Sequence, residues 1–374
     1  MKPYSYLLFF AFFLTTSCTE RYLLPDMGEH SVIVITGVVT NEPGPYYVRV
    51  VENISNISTG KTTLRGIDDA RVTITDSNGN MDELRSFYSI PLDSVLTGSG
   101  IIYGTNDSVY YYRYFFDIPD ENGKNIRFGV EKEIWDNYKI REDIREGAYF
   151  TTSTKGIPGQ SYTIKVEYDG QEYTATDYMC YGTVLDSISI EPVGRYIYAK
   201  PDGTDGFMVP CLYFAEPQDE VNFYMFKESG YSVISNIDPE TGFWTYESYL
   251  TSAKNLTLWN GESGDWVLSV VSDRFLPPYV SKYKMSDGDS ERKWYSGTDM
   301  GFYYGWDNGG AVDMYNITEP VYRYFYALSR QYYNDGGAFS PSPASPPTNF
   351  NSGAQGCFFA ASVSQYVLDM SINN

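Results

Sequence analysis

His30 is the only histidine in 374 residues, and that count removes much chemistry at once. A zinc site built on several imidazoles is out of reach. So are most Ser-His-Asp and Cys-His pairs, which need an imidazole to move the proton. His30 itself reads as a solvated residue close to the N-terminus. Carboxylates remain. Asp68-Asp69, Glu131 with Glu133, Glu142-Asp143 and Asp287 with Asp289 are close pairs, and two acids suffice to hydrolyse a glycosidic bond. With 48 acidic residues in the chain, close pairs also arise without any chemistry behind them. Each therefore reads first as solvated surface.

The run Ser286-Asp287-Gly288-Asp289-Ser290-Glu291 gathers hard oxygens, which makes Asp287, Asp289 and Glu291 a weak calcium candidate. It lacks the full spacing of a calcium loop, and an acidic surface turn is the simpler reading. No catalytic residue and no cofactor is indicated. Of the four cysteines, Cys180, Cys211 and Cys357 stand outside the N-terminal segment and form no CxxC pair. A Cys180–Cys211 bridge in an oxidising compartment and three reduced, buried thiols are both open. Aromatic residues make up 17% of the chain, which suits strand-rich architecture. Trp244, Trp259, Trp294, Tyr303, Tyr304 and Trp306 lie in Gly-, Asn- and Tyr-rich sequence. They form either a lid over the core or a flat platform for a sugar or peptide.

The net charge of −21 argues against nucleic acid, whose phosphates would be repelled, and against docking on anionic lipid through a basic patch. Localisation is read at the N-terminus. Lys2 precedes the apolar run Leu7-Leu8-Phe9-Phe10-Ala11-Phe12-Phe13-Leu14, and Thr15-Thr16-Ser17 leads into Cys18. A charged start, a short apolar core and small residues at its end make a secretory signal over 1–17. With a cysteine at the cleavage point, the segment resembles the bacterial lipobox. That resemblance implies a diacylglyceryl group on Cys18 and a tether over 18–30. Thr15 stands where the lipobox pattern prefers Leu. A plain signal peptide is the alternative. Two or three acyl chains, at about 0.8 kcal/mol per buried methylene, hold a soluble domain on a membrane. No later stretch has the length and apolarity of a membrane-spanning helix.

Residues 31–40 are rich in β-branched side chains and read as a buried strand, returning after a turn at 41–45 as an alternating strand from Tyr46. Residues 70–76 alternate and end in the turn Asp76-Ser77-Asn78-Gly79-Asn80. Residues 162–168 and 172–176 flank Asp169-Gly170, a favoured hairpin dipeptide. These strands predict a small antiparallel sandwich over 31–180, interrupted by an insert at about 86–150. That insert holds a tyrosine-rich strand at 110–116 and an amphipathic helix at 131–145. A larger β-rich domain over 181–374 follows, with strands near 187–190, 206–214, 222–226 and 266–273. Its one helix is predicted at about 319–333, capped by Thr318, with Val321, Phe325, Leu328 and Tyr332 on its apolar stripe. A final glycine-led strand pair is expected from Gly356 to Met370.

Several segments look familiar in their order: VIVITGVVTNEPGPYYVRV, GIDDARVTITDSNG, PGQSYTIKVEYDGQEYTATDYM, VLDSISI, EPVYRYFYALSRQYY and NFNSGAQGCFFAAS. The set resembles the Bacteroidota lipoproteins of the domain of unknown function 4249 family, across nearly the whole mature chain outside the insert. The resemblance implies a first domain similar to immunoglobulin-like or carboxypeptidase-regulatory-like sandwiches. It also implies an outer-membrane setting beside a TonB-dependent transport barrel, and it carries no catalytic residues. Asp93-Ser94-Val95 and Asp107-Ser108-Val109 resemble the acceptor tripeptide of Bacteroides protein O-glycosylation, at Ser94 and Ser108, although such tripeptides also occur by chance. The expectation is a mainly β, lipid-anchored outer-membrane protein, periplasmic or surface-exposed. It would act without catalysis, as an accessory or ligand-capture partner of a TonB-dependent transporter. The alternatives are a carboxylate-based glycan hydrolase and a structural or adhesive surface lipoprotein.

Overall fold

The computed structural model describes residues 29–56, 61–91, 93–101, 108–119, 123, 125–130, 146–192, 208–237, 244–250, 269–284, 309–333 and 346–369. Strand β1 (Glu29–Thr40) is the β-branched opening run, and β2 (Tyr47–Asn56) returns antiparallel, with Ile35 beside Val50. Strand β3 (Lys61–Gly66) pairs with the far half of β2. Strands β4 (Arg71–Asp76) and β5 (Met81–Glu83) form the expected hairpin. Its turn is closed by Asp76 Oδ1, which accepts from the amides of Asn78 and Asn80 at 2.9 Å each. After β6 (Arg85–Ser86), the insert contributes β7 (Asp93–Ile101), β8 (Ser108–Pro119) and β9 (Asn125–Val130), a three-stranded sheet of its own. The helix expected at 131–145 lies outside the described residues.

Strand β10 (Ala148–Phe150) leads to the hairpin of β11 (Ser161–Tyr168) and β12 (Gln171–Tyr178). Asp169 at φ 47° and Gly170 at φ 70° give that hairpin the left-handed pair its twist requires. Then come β13 (Leu185–Pro192), β14 (Met208–Ala215), β15 (Phe223–Ile237), β16 (Trp244–Leu250), β17 (Ser269–Ser272), β18 (Tyr279–Lys284), β19 (Gly309–Ile317), helix α1 (Glu319–Tyr333) and β20 (Gln355–Asp369). Helix α1 occupies the predicted span. The last segment is not a strand pair but one strand of 15 residues. After Gly356 it carries no Gly, Pro or Asn to turn the chain.

Ten strands join one sheet in the order β16-β15-β19-β20-β1-β2-β10-β6, with β17 on β15 and β3 on β2. Strand β20 lies between β19 and β1, antiparallel to the first and parallel to the second, with Val34 beside Gln355 and Thr40 beside Ala361. The sheet that opens the chain therefore also holds its final strand.

Alternation along these strands sends side chains to two faces, and both are covered. On one face Ile35, Val50 and Phe358 meet Val72, Ile74 and Ile164 of the four-stranded sheet β12-β11-β4-β5. Farther along the same face, Tyr224, Phe226 and Met314 meet Leu212, Phe214 and Val280 of the sheet β13-β14-β18. On the opposite face Phe223, Met225, Tyr315 and Phe359 pack under Val321 and Phe325 of α1. Burial on both sides explains why β20 reads Cys-Phe-Phe-Ala-Ala without a polar break. The molecule is mainly β, and α1 is the one α-helix among the described residues.

Candidate functional site

The chain crosses from the four-stranded sheet to the three-stranded sheet through residues 179–184, between β12 and β13. This connection has no regular structure, yet its backbone is fastened on both sides. Gly159 N donates to Met179 O at 2.8 Å, and Met179 N donates to Gln160 O at 2.9 Å. Ser362 Oγ donates to Cys180 O. Thr183 N donates to Asn316 Oδ1 at 2.9 Å, while Asn316 Nδ2 donates to the carbonyls of Thr183 and Ser362. Leu185 N donates to Ser364 Oγ at 2.8 Å. A β-carbon on Gly182 would lie 2.9 Å from Ser362 Cβ, so only glycine lets the connection approach β20 this closely.

What the connection turns outward is apolar. Tyr181 is 73% exposed and Val184 66%; beside them Tyr178, the last residue of β12, is 41% exposed and Ile157 on the adjoining loop 47%. Although it faces solvent, the Tyr181 ring rests on Gly159: a β-carbon there would stand 2.5 Å from the phenol oxygen. Gly159 also has φ +88°, a conformation glycine adopts readily and other residues rarely.

What the connection turns inward is polar and satisfied. Thr183 Oγ1 and Tyr224 Oη share a 2.9 Å hydrogen bond, and Tyr224 Oη donates to Glu216 Oε2 at 2.5 Å. Asn222 Nδ2 donates to Glu216 Oε1 at 3.1 Å. Burial raises the Glu216 carboxyl above its usual range, against the pull of these donors, and Asp273 and Glu220 add to the rise. Asp177, at the end of β12, accepts from Thr318 Oγ1 at 2.7 Å and from Ala360 N at 2.9 Å. Burial pushes its carboxyl up to about 6.

Other buried charges also serve the architecture. Asp82 Oδ2 accepts from the amides of Thr152, Ser153 and Thr154 at 2.8–2.9 Å. Desolvation works to raise the Asp82 carboxyl, but these donors outweigh it and hold the group below its ordinary value. Lys227 stands beside Asp313 across β15 and β19. Burial pushes its amine down to about 8 although Asp313 and Glu42 oppose the shift. A recess at the tip of the β11–β12 hairpin is walled by Asp69, Glu167, Tyr168 and Glu172. Glu167 and Glu172 are ion-paired there with Lys165, and Glu167 also with Arg71.

The residues singled out in sequence are distributed unevenly. Cys18, Trp259, Asp287, Asp289, Glu291, Trp294, Tyr303, Tyr304 and Trp306 lie outside the described residues, as do the Glu131, Glu133, Glu142 and Asp143 pairs. Trp244 opens β16 opposite Ile237. Ser94 lies in β7 opposite Tyr114, and Ser108 opens β8 opposite Ile101. Asp68 accepts from Gly147 N at 2.7 Å. His30 is exposed, and it belongs to β1. Cys180, Cys211 and Cys357 are free thiols, so no Cys180–Cys211 bridge forms, and Cys211 and Cys357 are buried. Among the described residues no group of three or more His, Cys, Asp or Glu could hold a metal ion. Among them, too, no helix is long and apolar enough to cross a membrane.

The apolar connection was missed in sequence. The signal available was Tyr178-Met179-Cys180-Tyr181-Gly182-Thr183-Val184, an uncharged run with no strand alternation where the strands pause.

No curated protein and no solved structure matches this chain. A family match does exist, to the domain of unknown function DUF4249, over residues 20–366. It takes in the β1–β20 pairing, the helix and the connection at 179–184. On that match, the chain belongs to the DUF4249 family.

Proposed function

We propose that this protein is a lipid-anchored accessory of the outer membrane that works with a TonB-dependent transport barrel and binds without catalysing a reaction. One observation carries the reading: the connection at 179–184 exposes aromatic and aliphatic side chains on a backbone that is fastened on both sides, while the buried carboxylates of the fold are occupied by internal hydrogen bonds. Asp82, Asp177 and Glu216 each accept two or more hydrogen bonds within the fold. That is the arrangement of a recognition surface on a stiff scaffold. The lipobox-like end at Cys18, close before the first residue of β1, supports anchoring on a membrane. The resemblance that suggests a transport barrel as partner supplies the rest.

The test is a mild-detergent pull-down of the tagged, lipidated protein from native outer membranes, followed by mass spectrometry. Near-stoichiometric recovery of a TonB-dependent barrel is the expected result. Recovery of the lipoprotein alone, with crosslinking also blank, would sink the reading. Mass analysis of the mature N-terminus tests acylation of Cys18 separately.

A further inference from the structure

We propose that Ile157, Tyr178, Tyr181 and Val184 form the docking surface for a partner protein that brings an apolar centre and a basic rim. This inference rests on the accessory reading above and names the face by which the transport barrel is held.

Three features single this surface out. First, the four residues are large, apolar and exposed; Tyr178 ends β12, Tyr181 and Val184 lie on the connection that follows it, and Ile157 lies on a loop that hydrogen-bonds to that connection. Contiguous apolar exposure of this kind marks interaction sites on soluble domains. Second, the surface is preorganised. Tyr181 is seated on Gly159, and the backbone on either side of it is tied to Gly159, Gln160, Asn316 and Ser362. Little entropy is left to lose when a partner covers it, and a rigid tyrosine is a typical anchor of an interface core. Third, the rim is acidic. Glu220 lies close enough to Cys180 to raise its thiol, after burial and together with Asp177. Asp219 adjoins Glu220, and Asp186 follows Val184 at two residues' distance; both are exposed. Lys155, two residues before Ile157, is exposed as well.

That charge selects the occupant. A second copy of this chain, with net charge −21, would set acid against acid. An anionic lipid or lipopolysaccharide surface would be repelled by the same carboxylates. A protein patch with Lys or Arg around an apolar centre satisfies both the rings and the rim.

The experiment uses full-length, lipidated, tagged protein in native outer membranes, captured in mild detergent. Two variants report on the two parts of the surface: Tyr181→Ala with Val184→Ser, and Asp186→Lys with Glu220→Lys. Met81→Ser, which removes an exposed apolar side chain on β5, is the control. Wild type and the control are expected to recover the barrel equally, and each double variant to recover it roughly tenfold less. If both double variants recover as much barrel as wild type, the docking surface is wrong although the accessory reading stands. If wild type recovers no barrel, both fail together. Should the first double variant lose its fold by circular dichroism, the charge-reversal pair carries the test alone, since its positions are exposed or partly exposed. Patch-dependent binding to anionic vesicles without any barrel would also overturn the proposal.

Discussion

Thr318 Oγ1 donates a 2.7 Å hydrogen bond to Asp177 Oδ1, which ties the residue before α1 to the end of β12. Asp177 Oδ2 meanwhile accepts from Ala360 N of β20, so one carboxylate joins the small sheet, the large sheet and the helix. Asp177 is 7% exposed, and burial outweighs these donors in setting its acidity.

A pH dependence of stability follows. The Asp177 carboxyl is raised from an ordinary 3.8 to about 6 in the folded protein. The folded state therefore keeps a proton that the unfolded chain has already released. This group's contribution is fully present below about pH 4 and is lost as pH rises through about 6. The span corresponds to about 3 kcal/mol. Urea denaturation at intervals from pH 4 to pH 7 should show wild type losing stability relative to Asp177→Asn as pH rises. Parallel curves for the two proteins would rule the assignment out.

Tyr224→Phe should cost about 1–3 kcal/mol, because Glu216 loses the 2.5 Å donor that compensates its burial. The penalty should be greater at pH 8 than in acid below the raised range of the Glu216 carboxyl, where its protonated form needs that donor less. Glu216→Gln should be milder, since its amide oxygen still accepts from Tyr224 and no charge is buried. An equal penalty at both pH values would mean that the Glu216–Tyr224 bond contributes independently of charge.

Asp82→Asn tests the loop at 152–154. The carboxylate accepts three amides and two hydroxyls there, and the neutral amide would offer those donors a single, uncharged acceptor oxygen. A loss of about 2–4 kcal/mol is expected. Because the Asp82 carboxyl is held below its ordinary value, its stabilisation is present at neutral pH and lost as pH falls through that lowered value. The deficit of the variant relative to wild type should therefore shrink in strong acid. A constant deficit would contradict the role given to the charge.

Local signals in the sequence carried far and long-range ones did not. Asp169-Gly170 announces its hairpin because few other residues accept two successive left-handed conformations, and the structure shows both. Helix α1 is legible from its apolar stripe, with Val321 and Phe325 buried as expected. The hydroxyl of Thr318 is a different matter. Its residue type suits a helix cap, but Thr318 O receives Tyr322 N while the hydroxyl reaches Asp177, 141 residues away in sequence. The parallel pairing of β1 with β20 is equally silent in sequence, since alternation identifies a strand and says nothing of its neighbour. The exposed connection was hidden for a related reason. An uncharged run such as residues 178–184 ordinarily reads as interior, whereas in the structure Tyr181 lies against Gly159 and, with Tyr178 and Val184, is exposed.

Gly159→Ala isolates that placement, with Gly79→Ala as its partner variant. Both glycines have positive φ, +88° and +85°, so both substitutions bear a similar backbone strain of about 1–2 kcal/mol. They differ in their surroundings: a β-carbon at Gly79 meets nothing within 4 Å, while one at Gly159 meets Tyr181 Oη at 2.5 Å and Cζ at 2.8 Å. Gly159→Ala should therefore displace the Tyr181 ring and destabilise the protein more than Gly79→Ala does. It should also weaken capture of the partner barrel, which Gly79→Ala should leave intact. Paired denaturation curves and paired pull-downs decide it. Equal loss of stability with equal recovery of the barrel would show that Gly159 does not hold Tyr181 in its outward pose, and that the ring's rigidity has another source.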